Sequence, residues 1–292
     1  MNFADFLLSL VAICWGVTFK LVQNAISNIP VFIFLFLRFF FAFLLMFIIF
    51  FKKIDCSKNA LKAAFILGGF NFLVFSFQTF GLLYSPFSIV AFITGIYVIL
   101  TPLFAFLIFK KRISFYAVIG VVLAFLGIYF LTGANIKTFG KGEVLTLIAT
   151  VFVTLHINFT DIYSKKYNLY TLVTFQFLIV ALFSLIFVPF EKGEIKITKD
   201  VILALFVTVV FATVFAYFIQ TYAQKFTTPT KTAVIFAMEP VSAAIFGYFY
   251  GESLNITQIT GAVLVIAAML ITETGEEITK RIKAFLKLLD KA

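Results

Sequence analysis

Ten runs of about twenty mostly apolar residues, joined by short polar loops, fill this chain: 3–22, 31–51, 60–83, 87–109, 113–133, 142–164, 169–189, 200–223, 230–250 and 255–273. About twenty is the number of helical residues that crosses the hydrocarbon core of a bilayer. Inside that core no water is available to pair backbone N–H and C=O groups, so each run must satisfy them itself, as an α-helix does. A soluble fold fails on the same count. The chain is 63% hydrophobic and 12% charged, with 44 phenylalanines, whereas soluble domains are roughly half apolar and about a quarter charged. The sequence therefore predicts an all-α polytopic membrane protein with ten transmembrane helices. Its start, MNFADFLLSLVAICWG, lacks a basic n-region and is expected to be a retained first span rather than a cleaved signal.

The net charge of +10 does not call for a nucleic-acid partner, because the basic residues cluster in loops between apolar runs. That clustering is the orientation signal of a membrane protein. Cys14 in an apolar run and Cys56 in a Lys-rich loop offer neither a disulfide framework nor metal-ligand spacing. There is no H-E-x-x-H, G-x-S-x-G or phosphate-binding loop. The expectation is a non-enzyme without catalytic residues, metal or cofactor.

The chain repeats itself. FQTFGLLYSP (77–86) aligns with IQTYAQKFTTP (219–229), TPLFAFLIF (101–109) with EPVSAAIFG (239–247), and ISFYAVIGVVLAFLGIYFLT (113–132) with LNITQITGAVLVIAAMLITE (254–273). Gly120 then falls on Gly261, and Gln78 on Gln220. Three matches in one order point to duplication of a five-helix unit. Five is odd, so the second copy should cross the membrane inverted. The charges agree: KKRIS after helix 4 has the uncharged-or-acidic counterpart GESLN after helix 9, and the Lys-free loop after helix 1 has the counterpart SKKYN after helix 6. The reading is a first repeat over 1–135, an inverted repeat over 136–275 and a basic amphipathic tail over 276–292. The positive-inside rule supports cytoplasmic N- and C-termini, and the expected location is the cell inner (plasma) membrane.

The segments AICWGVTFKLV, LRFFFAFLLM, ITGIYVILTPLFAFLIFKKR and TAVIFAMEPVSAAIFGYFYGESL resemble, in order and over nearly the whole chain, the EamA family of the drug/metabolite transporter (DMT) superfamily. The resemblance implies helices 1–4 and 6–9 around a central cavity, helices 5 and 10 at the periphery, and export or exchange of small metabolites, often amino acids. One departure is visible: members often carry an acidic residue at the end of helix 4, where this chain has Lys111 in a segment three residues short.

Polar residues inside the runs mark the candidate cavity. Inverted-repeat transporters bind near the midplane at paired, interrupted helices, and Pro102 and Pro240 form such a pair of candidate hinges. Each deprives the carbonyl four residues earlier, Val98 or Phe236, of its usual donor; the competing reading is a kink that only improves packing. Thr94, Tyr97 and Thr101 share a face of helix 4, Asn71 and Gln78 of helix 3, and Thr213, Tyr217 and Gln220 of helix 8. These groups line a cavity or hydrogen-bond neighbouring helices. Arg38, too deep to snorkel, suits a substrate carboxylate or an acidic partner, with an outer-interface anchor as the plain alternative. His156 suits a proton relay or a structural hydrogen bond. Lys20 can snorkel, Asp161 is expected to be solvated or paired with Lys165, and Trp15 with Gly16 serves close packing or a cavity wall. Glu239, the acid nearest the middle of any run, is a functional candidate by default: it binds a cation, carries a coupling proton or pairs with Arg38.

The expected function is a secondary transporter, exporter or exchanger, of small metabolites such as amino acids, working by alternating access, with small-molecule substrate and lipid bilayer as its partners. The alternative is a non-transporting membrane sensor that binds a small ligand in the same cavity.

Overall fold

A computed structural model describes residues 3–132, 140–249 and 255–289. The junction at 135/136, most of the GESLN loop and the last three residues of the tail lie outside the described residues. In chain order the helices are α1 (Phe3–Ile26), α2 (Val31–Phe50), α3 (Lys58–Tyr84), α4 (Phe87–Gly95), α5 (Tyr97–Phe109), α6 (Phe115–Thr132), α7 (Lys141–Ser164), α8 (Leu169–Phe187), α9 (Lys199–Val207), α10 (Ala216–Ala223), α11 (Pro229–Phe236), α12 (Met238–Phe249) and α13 (Ile256–Leu289). A π-helix, Thr208–Phe215, joins α9 to α10. No strand occurs among the described residues.

Seven helical stretches are long and apolar enough to cross a membrane, counting α4–α5 and α9–α10 each as one. Shorter apolar helices cover Phe115–Leu131 and Ile256–Thr272, and the run at 230–250 is split into α11 and α12. The arrangement is inside out relative to a soluble protein. Phe41, Phe47, Leu107, Ile186 and Phe206 point outward, while Arg38, Asn71, His156, Gln176, Gln220 and Glu239 are buried. An apolar exterior around a polar interior is what lipid demands.

Local sequence sets where helices start and stop. Asn168, Thr198 and Thr228 accept backbone N–H groups at the first turns of α8, α9 and α11, pairing donors that a helix start leaves orphaned. The end of α5 is unusual. Lys110 adopts the left-handed conformation (φ 51°), its N–H bonds Phe106 O at 3.0 Å, and Lys111 N–H bonds Ala105 O at 3.0 Å. This is a left-handed (αL) helix stop on a lysine, where glycine is usual.

Both proline-bearing runs are broken, at different heights. α4 gives way to α5 at Ile96, six residues before Pro102, and α11 to α12 at Ala237, three residues before Pro240. In the repeat alignment the two breaks differ by one helical turn. Around α4–α5, α7 supplies donors: Thr150 Oγ1 bonds Ile93 O at 3.0 Å and Asn158 Nδ2 bonds Thr101 O at 3.2 Å. Two apolar clusters flank these breaks. One contains Phe34, Phe39 and Phe177 on α2 and α8, the other Tyr97, Ile128, Ile157 and Phe236, and Trp15 packs against both. On the periphery α6 lies along α13 with Gly127 and Gly261 in the contact, where a Cβ would meet the partner backbone. Small residues of this kind let membrane helices approach closely. The last span runs on without interruption into the basic tail, to Leu289.

Candidate functional site

One cavity gathers all ten sequence-predicted binding residues: Trp15, Arg38, Asn71, Gln78, Thr94, Tyr97, His156, Tyr217, Gln220 and Glu239. Its cavity volume is about 70 Å³, which exceeds the roughly 10–15 Å³ that one water occupies on this measure. It extends along α1 and α3 to Val22 and Leu82, toward the face that carries the α1–α2 turn. In the other direction its lining stops at Ile157 and Gln220.

Arg38 reaches the cavity from α2 on an aromatic shelf. Its guanidinium lies 4.5 Å from the Phe75 ring centre and 5.2 Å from that of Phe39, the arrangement of cation–π attraction. Nε donates to Thr213 Oγ1 at 2.8 Å, and Nη2 approaches Ala212 O at 3.5 Å. Both acceptors belong to the π-helix. Trp15 donates Nε1–H to the same Ala212 carbonyl at 2.9 Å, and its indole lies 4.9 Å from the Phe236 ring and 5.6 Å from Tyr217. Trp15 is thus both packed and a cavity wall.

On α12, Glu239 sits two residues past the α11–α12 break at Ala237, at the first turn of a helix, where the helix dipole favours a negative charge. Across the cavity it faces the Tyr97 hydroxyl, which makes no hydrogen bond within normal geometry. Gly16 presses on the Glu239 peptide so closely that a Cβ there would collide with the Glu239 carbonyl and with Ser242. Glu239 and Arg38 form no ion pair with each other. The pairing that the sequence left open is therefore absent among the described residues, and each charge is presented separately to one space.

The third wall is a hydrogen-bonded chain. Tyr217 OH donates to Asn71 Oδ1 (3.2 Å), Asn71 Nδ2 donates to Gln176 Oε1 (3.0 Å), and His156 Nε2 lies 3.2 Å from the same oxygen. With Gln176 Oε1 as the acceptor, a neutral His156 carries its proton on Nε2. Gln176, fully buried on α8, was missed by the sequence reading. A lone glutamine amid LVTFQFLIV was its only signal. Gln78 donates to Thr94 Oγ1 at 3.1 Å and Gln220 to Gln224 Oε1 at 3.1 Å, so the repeat-equivalent pair shares the cavity but not its anchoring.

Two other ionisable residues lie elsewhere. Lys20 is exposed, its ammonium 5.7 Å from the Phe87 ring centre. Asp161 pairs with Lys165 (2.6 Å), as the sequence suggested, and also with Lys111. Among the described residues no group of His, Cys, Asp and Glu side chains could hold a metal.

A relative from Archaeoglobus fulgidus named "Uncharacterized transporter" is 36% identical over 270 residues, covering 92% of this chain and 85% of the relative. A second, from Buchnera aphidicola subsp. Schlechtendalia chinensis, named "Uncharacterized transporter in trpA 3'region", is 28% identical over 274 residues and covers 90% of each chain. A solved crystal structure superposes with a TM-score of 0.78 at 16% identity, over 97% of this chain and 99% of the other, a likeness of fold alone. The model of the EamA-like transporter family matches twice, at residues 2–133 and 140–274. With a polar cavity at the centre of an apolar helical shell, and those matches along nearly its whole length, the chain is a multi-pass membrane protein that belongs to the EamA-like transporter family.

Proposed function

We propose that the protein is a secondary transporter of small zwitterionic metabolites such as amino acids, exporting or exchanging them by alternating access around the central cavity. The observation that carries this reading is the separate presentation of Arg38 and Glu239. A zwitterion satisfies both at once: its carboxylate takes guanidinium donors left over from Thr213, and its ammonium meets the carboxylate. The broken helices support the same chemistry. Each break brings a helix C-terminus, at Thr94 and at Phe236, and a helix N-terminus, at Tyr97 and at Glu239, to the cavity wall. Carbonyl ends favour cations and amide ends favour anions.

The proposal includes ten spans in two inverted repeats, 1–135 and 136–275, with a cytoplasmic tail over 276–292. The two family-model matches support it, as do the helix contacts. α2 packs on α8 and α6 on α13, each a repeat-equivalent pair, and α1 meets α11 and α12 as α7 meets α4 and α5. The basic loops support cytoplasmic termini, and the membrane of this reading is the cell inner (plasma) membrane. Pro102 and Pro240 act as hinges, and Glu239 is the candidate carrier of a coupling proton.

Flux of labelled amino acids into proteoliposomes tests the reading. Saturable uptake or exchange is expected, with a loss of at least tenfold for Arg38→Gln. Absence of flux for every amino acid, with folded protein confirmed in the same vesicles, overturns it.

A further inference from the structure

From the level of the cavity to past its floor, α7 and its C-cap carry one polar stripe: Thr150, Thr154, Asn158, Asp161 and Lys165, spaced three and four residues apart. The stripe faces α4 and α5 along its length. Thr150 bonds Ile93 O, Asn158 bonds Thr101 O, and Asp161 pairs with Lys111 just past the end of α5. On the other flank α10 closes in, with Gln224 Nε2 bonded to Ile157 O at 3.0 Å. Such an interface is costly to build for packing alone. The Thr101, Thr154 and Thr221 hydroxyls and Asn158 Oδ1 are all buried and have no hydrogen-bond partner. Unpaired buried polar groups are rare in folded proteins and ask for an explanation.

The repeat supplies one. The mouth of the cavity is lined on α3 by Gln78, Thr79 and Leu82. The alignment that puts Gln78 on Gln220 puts Thr79 on Thr221 and Leu82 on Gln224. The dry seam beside α10 is therefore the counterpart, in the other repeat, of the wall that is open. We propose that the seam between α5, α7 and α10 is the closed half of the solute path, and that Asp161, clamped by Lys111 and Lys165, is its latch. The inference rests on the alternating-access reading of the protein.

The latch is built from three elements. Asp161 is buried, and the left-handed turn at Lys110 brings Lys111 back onto it from the end of α5. Lys165, one turn along α7, binds the other carboxylate oxygen and lies 3.5 Å from Thr227 O, in the turn between α10 and α11. One carboxylate thus ties the ends of α5, α7 and α10 together. Both lysine side chains are partly exposed, at 35% and 43%, so water can take over their charges when the clamp opens. Opening would hydrate the unpaired polar groups of the seam, as Thr79, the counterpart of Thr221, lines the mouth now.

Thiol labelling reads the seam without any substrate. In a protein with Cys14 and Cys56 replaced by Ser, a single Thr221→Cys change reports the seam and Thr79→Cys reports the mouth. A small, charged methanethiosulfonate reagent should label the Thr79→Cys protein fast and the Thr221→Cys protein slowly. Adding Asp161→Asn should speed labelling at 221 at least tenfold and slow it at 79. The Lys111→Gln/Lys165→Gln double change should do the same, and the exchange Lys111→Asp with Asp161→Lys should move the rates back toward the starting values. Rates at 221 unmoved by both the Asp161 and the double-lysine variants overturn the latch. Reciprocal rates in a protein that moves no amino acid would keep the latch and remove the substrate reading. Amino-acid flux with unmoved rates would do the reverse.

Discussion

The indole nitrogen of Trp15 donates to the Ala212 carbonyl at 2.9 Å, and Arg38 extends toward that same carbonyl while bonding Thr213. Two cavity residues from α1 and α2 therefore hold one π-helical peptide unit of a third element. π-helical turns are rare and recur at functional sites. Trp15→Phe keeps an aromatic face but loses the donor with the pyrrole half of the indole. One buried hydrogen bond is worth about 0.5–1.5 kcal/mol, so thermal unfolding in detergent should shift down by a few degrees at most. Transport should fall more than stability does, because Arg38 loses its neighbour on the shared acceptor. A variant with full transport would make that hydrogen bond a packing detail.

Arg38→Lys separates charge from geometry. A lysine keeps the positive charge but cannot bond Thr213 and still present a flat fork to a carboxylate. The expected result is a raised KM with a modest change in maximal rate. Thr213→Val should move KM in the same direction by a smaller factor, since it frees Arg38 Nε without removing the charge. Wild-type KM in both variants would place the substrate carboxylate elsewhere.

Gln176 touches no cavity space, yet it holds Asn71 and His156. Gln176→Leu leaves their donors unpaired in a dry interior, at about 1–3 kcal/mol. Gln176→Glu restores an acceptor and should recover KM even where stability stays low. A positioning role predicts that recovery; a purely structural role predicts that KM never moved.

Gly16 and Gly69 make a matched pair. A Cβ at Gly16 collides with the Glu239 carbonyl, while one at Gly69 meets nothing within 4 Å. Gly16→Ala should destabilise by about 1–3 kcal/mol through overpacking and displace Glu239. Gly69→Ala should be neutral or stabilising by up to about 1 kcal/mol, since alanine is the better helix former. Thermal unfolding of the two proteins side by side measures the difference.

Glu239→Gln keeps the shape and removes the charge. If Glu239 carries the coupling proton, uptake driven by a pH gradient should collapse, while exchange at equal pH should persist in reduced form. Normal, pH-dependent uptake in this variant would take the proton away from Glu239.

The helical periodicity of the chain made much of this site legible. Asn71 and Gln78, Thr94 and Tyr97, Tyr217 and Gln220 are spaced to share helix faces, and a polar face inside an apolar run has nowhere to go but inward. Arg38 and Glu239 stood out because burying a charge in lipid is costly. Three features were not legible. The π-helix between α9 and α10 has no residue signature, since VTVVFATVF would suit an ordinary α-helix equally well. The offset between the breaks at Ile96 and Ala237 depends on tertiary donors such as Thr150, which local sequence does not reveal. Lys111 was noted as a departure from the family pattern, but its pairing with Asp161 depends on a left-handed lysine, a conformation that composition does not announce.

The glycine contact between α6 and α13 also limits how this molecule can move. Gly127 and Gly261 bring two backbones together with no side chain to act as a bearing. A slip of one residue along either axis would drive a Val265 or Leu131 side chain into the space the glycines leave. The pair behaves as a riveted joint, so under the proposed alternating access the rocking would be carried by the helices that line the cavity. Because α13 continues as one unbroken helix to Leu289, a fluorophore attached near its end would report from that joint. It would serve as the stationary reference against which the travel of every other helix is measured.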